Sequence, residues 1–187
     1  MQKTGYLLIN LGTPDEPTPA AVRRYLNEFL MDEYVIATPW LLRRLLVSLV
    51  ILPFRPRRSA EAYAKIWSSE GSPLLLHSTA LAEKLALELD APVELGMRYG
   101  QPSIRDAAAK LREKNVDDIV VVPLYPQFAD SSVTTSVVKA SLEIGCATAQ
   151  RGGGRVENYA SAAGHRKERP PRLGQPLPGA YAYRVDK

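Results

Sequence analysis

Apolar residues recur along this chain in two rhythms. Over residues 5–11 the run G-Y-L-L-I-N-L is almost unbroken, the pattern of a strand buried on both faces of a parallel sheet. The loop Gly12-Thr13-Pro14-Asp15-Glu16-Pro17 ends it. Thr18 and Pro19 then read as N-cap and first helical position of a helix in which Val22, Tyr25, Leu26, Phe29 and Leu30 return at helical spacing. Ser59 reads as the cap of a short helix through Trp67. A longer helix is predicted over about 73–89, where Leu75, Thr79, Leu81, Ala82, Leu85 and Leu89 supply the stripe. Strand follows over 93–99, helix over about 103–114, strand over 119–125 and helix over about 133–144. Strands alternating with helices across short loops predict an α/β fold, a doubly wound parallel sheet of Rossmann type flanked by helices. Ligands of such sheets sit at the carboxyl ends of the strands, so the functional loops are expected after Leu11, Tyr99 and Tyr125.

Two stretches break the alternation. Residues 39–54, from Pro39 to Phe54, are the most apolar, yet the longest uncharged part runs only from Leu45 to Phe54, half of what a membrane span of about 20 residues needs. A buried helix closed by Pro53 and an exposed apolar lip for a greasy ligand or a membrane face both fit, Trp40, Arg43 and Arg44 favouring the second. From about Cys146 onward apolar periodicity fades. Half of the 12 glycines lie within residues 151–187, and a tail of low order is expected over 146–187, beyond a single domain of residues 1–145.

Charge and composition narrow the function classes. Residues 151–187 carry 8 Lys/Arg against 3 Asp/Glu, whereas residues 1–150 carry 16 against 17. The body is therefore near neutral and gives no electrostatic reason to expect nucleic acid. The single cysteine, Cys146, excludes an internal disulfide and any all-cysteine metal site within the chain. No secretory signal opens the sequence, and a cytoplasmic location is expected.

The predicted loops gather one polar set: Asn10, Gly12 and Thr13; Arg98, Tyr99 and Gln101; Tyr125, Gln127, Asp130, Ser131, Ser132, Thr134 and Thr135. Hydroxyl-rich loops before helix starts are natural anion cradles, which favours a ligand bearing carboxylate or phosphate. Neither G-x-G-x-x-G nor G-x-x-x-x-G-K-[ST] occurs, so dinucleotide and P-loop chemistry are disfavoured. His77 and His165 have no partner at metal-ligand spacing.

Four motifs, L-L-I-N-L-G-T-P, R-R-S-A-E-A-Y-A-K-I-W-S-S-E-G-S-P-L, G-M-R-Y-G-Q-P and P-L-Y-P-Q-F-A-D-S-S-V-T-T-S, together resemble the ferrochelatases, bacterial type, which insert Fe²⁺ into a porphyrin. The resemblance covers residues 4 to about 145, the amino-terminal domain of a two-domain protein. It implies a chelatase-like fold and a cleft that grips and puckers the macrocycle, exposing its nitrogen lone pairs to the metal. It further implies porphyrin-binding roles for Leu11 beneath the ring, for Arg57 and Arg58, for Tyr63 and Ser72 at the propionates, for Arg98 and Tyr99, and for Tyr125, Gln127, Ser131 and Ser132. Residues 39–54 match the family's active-site lip, a possible peripheral membrane contact, and an exposed half-cleft could self-associate.

The resemblance also has limits. The family's proton-accepting histidine, in an S-x-H-G-x-P stretch, and its glutamate partner belong to the second domain, so no catalytic or metal-binding residue is assigned. No permanently bound cofactor is expected, with Fe²⁺ as substrate. No iron–sulfur cluster is expected either, because the Y-P-Q loop lacks the cysteine that cluster-bearing relatives place there. Arg169-Pro170-Pro171-Arg172 is what a shifted frame would give in place of a familiar Asp-His-Pro-Gly run, so the tail is expected to be frame-disrupted or truncated, with a genuine alternative ending and a cloning scar open beside it. The chain is therefore expected to be impaired in inserting Fe²⁺ into protoporphyrin IX or coproporphyrin III. The alternatives are a non-catalytic porphyrin- or haem-binding half-domain and another tetrapyrrole chelatase.

Overall fold

The computed structural model describes residues 3–148, 156–160 and 181–186. Its elements are β1 (Thr4–Gly12), α1 (Pro19–Leu30), α2 (Trp40–Leu45), α3 (Arg55–Ile66), α4 (Pro73–Leu89), β2 (Val93–Tyr99), α5 (Ile104–Glu113), β3 (Asp118–Pro123), α6 (Thr135–Thr148), β4 (Val156–Ala160) and β5 (Tyr181–Asp186). β1 lies between β2 and β3 and runs parallel to both, with Gly12 beside Tyr99 and Ile9 beside Pro123. All three carboxyl ends therefore open on one edge of the sheet, as the alternation required.

Side-chain alternation along β1 builds two layers. Leu7 and Ile9 point to one face and pack with Ile104, Ala108 and Leu111 of α5 and Ala140 and Ile144 of α6. Leu8 points to the other, where Leu95 and Met97 of β2 meet Ala82 of α4. A third cluster joins Val22, Tyr25, Leu26 and Leu30 of α1 to Val47, Leu52, Ala60 and Tyr99. Helices cover both faces, which is the doubly wound arrangement.

Three local expectations change. The helix expected from Ser59 begins at Arg55, because Pro56 at an early helical position accepts the turn without needing a donor N–H. β3 stops at Pro123, so Tyr125 belongs to the loop. α6 is entered through one π-helical turn, Asp130–Thr134.

The 39–54 stretch resolves toward the exposed alternative, and inside out. α2 continues into a π-helical segment, Leu46–Ile51, with Leu49 65% and Phe54 73% exposed while Arg43 is 6% exposed. Burying Arg43 is tolerable because its Nη1 donates to the carbonyls of Ile36 at 3.0 Å and Thr38 at 2.9 Å. Among the described residues no helix is long and apolar enough to cross a membrane.

Beyond the three parallel strands, β5 pairs antiparallel with β3, and β4 with β5. β3 would otherwise present an open row of backbone donors and acceptors. These strands fall in the 146–187 segment expected to be of low order. Residues 146–148 end α6, and the remainder of that segment, Arg169–Arg172 and His165 included, lies outside the described residues.

Candidate functional site

The loops after β1 and β2 meet back to back. Gly12 adopts φ +111°, and a Cβ there would lie 1.8 Å from the Tyr99 carbonyl oxygen. Gly100, at φ +81°, leaves 2.9 Å between an added Cβ and the Thr13 carbonyl oxygen. Only glycine supplies both the left-handed backbone and the missing side chain, which is the physical content of the G-T-P and R-Y-G motifs. Among the described residues the buried Thr13 hydroxyl at this crossing has no hydrogen-bond partner.

Leu11, at the end of β1, is partly buried in the same cluster as Tyr25 and Tyr63. The Tyr25 and Tyr63 rings meet edge to face at 6.5 Å, and the Tyr25 hydroxyl donates to the Gly12 carbonyl at 3.3 Å. Burial pushes both phenol groups above their ordinary pKa; Tyr63 sits close enough to Arg55 for its charge to oppose the shift. The Tyr125 hydroxyl shares a hydrogen bond with Ser136 at 3.0 Å, and Tyr125 too is raised by burial. Leu11 and Tyr63 thus come together around Tyr25, a residue whose helical spacing marked it only as core.

A groove of about 540 Å³ opens between the lip and α3, lined by Val50, Ile51, Phe54, Arg55, Arg58 and Ser59, with Ala62 behind. Arg55, Arg58, Ser59 and Ala62 recur at i, i+3, i+4 and i+7, one face of α3. Arg57 is exposed and does not line the groove. Arg55 is the cation that sequence reading passed over, and it would have been found had the helix been started at Arg55 instead of Ser59. Among the described residues neither Arg55 nor Arg58 has a carboxylate within ion-pair distance.

Arg98 and Tyr99 are placed differently. Tyr99 is 0% exposed, and its hydroxyl donates to Asp32 Oδ2 at 2.7 Å. The same oxygen receives Arg98 Nη2 and the Thr135 hydroxyl, each at 2.5 Å, while Oδ1 receives the Tyr34 N–H at 2.8 Å. Arg98 Nε donates to Thr135 Oγ1 at 2.8 Å, and its guanidinium lies 4.5 Å over the Tyr99 ring. Burial alone would raise the Asp32 carboxyl, but hydrogen bonds from Thr135, Tyr99 and the Tyr34 N–H, with the charge of Arg98, hold it below the ordinary value. A cavity of about 270 Å³ lies beside this cluster, lined among others by Asp32, Glu33, Arg43, Arg98 and Lys139. Asp32 carried no sequence signal: it follows α1 in F-L-M-D-E-Y, and its side-chain partners stand 66 to 103 residues away.

The remaining expected residues are dispersed. Ser72 is buried at the start of α4, where its side chain makes no cap bond. Gln127 and Ser131 are exposed on the third loop. The Ser132 hydroxyl donates to the Ala129 carbonyl at 3.2 Å and Thr134 to Asp130 at 2.7 Å, so these hydroxyls close on the loop itself instead of forming an open cradle. His77 is exposed on α4 and lines neither cavity.

A family model described as ferrochelatase matches residues 3–160. A ferrochelatase of Coxiella burnetii (strain Dugway 5J108-111) is 53% identical over 137 residues, which is 72% of this chain and 39% of the relative. One of Azotobacter vinelandii is 58% identical over 132 residues, 70% of the chain and 39% of the relative. One of Pseudomonas putida is 53% identical over 135 residues, 72% and 40%. The chain spans about two-fifths of the length of the curated relatives it matches.

Proposed function

The chain belongs to the ferrochelatase family, and from that membership we infer that it supplies the porphyrin-holding wall of a lyase of haem biosynthesis. The observation that carries this reading is the groove between the lip and α3. Apolar Val50, Ile51 and Phe54 on one side and Arg55 and Arg58, without an ion-pair partner among the described residues, on the other form a surface for a flat apolar body bearing acid groups. Charge-assisted hydrogen bonds from the two guanidinium groups suit propionates, and partial desolvation by the lip strengthens them. Leu11 and Tyr63, packed around Tyr25, extend the same wall toward the ends of the strands. Arg55 replaces Arg57 in the paired-arginine role.

Metal insertion needs more than this wall. As Fe²⁺, the proposed metal substrate, enters the ring, two pyrrole protons must leave, and a base must stand at the macrocycle centre to accept them. Among the described residues the one imidazole, His77, lies away from both cavities. The isolated polypeptide therefore holds porphyrin by one face, weakly, and inserts metal slowly or not at all. Purified chain titrated with protoporphyrin IX should perturb the Soret band saturably, and zinc- or iron-porphyrin should not accumulate. Metalloporphyrin formation dependent on the chain would overturn the second half of the reading, and an unperturbed Soret band the first.

A further inference from the structure

The cavity beside the Asp32 cluster shares no lining residue with the groove of the lip. Its walls come from residues 31–34 after α1, from Arg43 of α2, from Arg98 of β2 and from the first two turns of α6. Arg43 is the buried cation among them, 6% exposed. Its Nη1 uses two of the five guanidinium donors on the carbonyls of Ile36 and Thr38, while Nε has no hydrogen-bond partner among the described residues. No carboxylate of the described residues lies within ion-pair distance of it. Carbonyl dipoles satisfy donors but leave the positive charge uncompensated, and such a buried charge favours any counter-ion that can reach it.

The other charges of the lining limit what that counter-ion can be. Arg98 is answered by Asp32, whose Oδ2 already receives three donors. Lys139 shares Glu143 with Arg105, and its side chain is 42% exposed, so that pair is screened by water and opens readily. Glu33, exposed at the same cavity, adds a second negative charge to that of Asp32. Three cations against two carboxylates leave place for a single negative charge, and a dianion would be repelled. Met31, Val138 and Leu142 make part of the lining apolar, and the volume of about 270 Å³ falls below the roughly 300–1,000 Å³ of drug-sized sites. We propose that this cavity binds a small monocarboxylate with a short apolar chain, the carboxylate between Arg43 and Lys139 and the chain against Met31, Val138 and Leu142. Such binding is independent of porphyrin in the groove.

The test titrates sodium butyrate into the unaltered 187-residue chain at constant ionic strength, read by amide proton–nitrogen correlation spectra. Saturable shifts are expected at residues 31–34 and 135–142, with a millimolar dissociation constant. Butyramide, uncharged and of the same shape, should bind at least about ten-fold more weakly. Lys139→Met should weaken butyrate binding about three-fold, and Leu142→Asp, which adds a carboxylate to the lining, at least about ten-fold. Both side chains are exposed, at 42% and 61%, so neither change disturbs the core. Absence of a saturable shift, equal binding of butyramide, tighter binding of inorganic phosphate than of butyrate, or shifts centred on residues 50–62 each overturn the proposal in the unaltered chain, with no variant needed. Unchanged butyrate affinity in both folded variants overturns it as well.

Discussion

At the scale of single residues, the chemistry of this wall is decided by which charges are already answered inside the protein. Asp32, Arg98, Tyr99 and Thr135 answer one another, whereas Arg55 and Arg58 have no carboxylate in ion-pair reach among the described residues. The Asp32 carboxyl lies below its ordinary pKa in the folded chain, so the unfolded chain binds the proton first on acidification. Its contribution to stability is present above the unfolded value, near pH 4, and is lost as pH falls through the folded value. Thermal melts should show a loss of stability below about pH 5 that is shallower in Asp32→Asn, and at neutral pH that variant should be about 3 kcal/mol less stable. Gly12→Ala, which brings a Cβ to 1.8 Å from the Tyr99 carbonyl at positive φ, should lower stability by about 3 kcal/mol or more in denaturant unfolding. The glycines and the R-Y pair were legible in the sequence as motifs. That Tyr99 is wholly buried was not, because a strand-end tyrosine reads the same whether it faces a ligand or an acid 67 residues away.

At the scale of elements, periodicity located the helices and strands well and assigned their faces less well. The bounds of α4 and β2 follow the sequence, Pro73 opening the one and Pro92 and Gly100 bracketing the other, but of the stripe expected on α4 only Ala82 is buried, while Thr79, Leu81 and Leu89 are exposed. The lip defeated the same reasoning: hydrophobicity without amphipathic period does not say which side is covered, and here Arg43 is buried with Val47 and Leu52 while Leu41, Leu42, Leu45, Leu46 and Leu49 face outward. This arrangement predicts an asymmetry between two kinds of substitution. Leu49→Ser and Phe54→Ser should change the unfolding free energy by less than about 0.5 kcal/mol each, being exposed, yet weaken protoporphyrin binding about five-fold each. Val47→Ala, on the buried side of the same segment, should cost about 2 kcal/mol in stability. Equal effects of both kinds on the melt would mean that the lip is packed in solution.

At the scale of the whole molecule, three loops leave from one edge of the sheet because the strands are parallel and in register, with Gly12 beside Tyr99 and Ile9 beside Pro123. Helix on both faces leaves that edge as the place where irregular backbone can meet a ligand. The chain's own sequence determined the alternation of strand and helix, the glycine crossing, the family and the loops that carry its motifs, because each of these depends on residues near one another along the chain. Tertiary structure alone decided that the lip is turned outward, that Arg55 instead of Arg57 faces the groove, and that Arg98 is held by Asp32. Those outcomes depend on which groups meet across long sequence separations, where a buried charge must find a partner and local pattern names none.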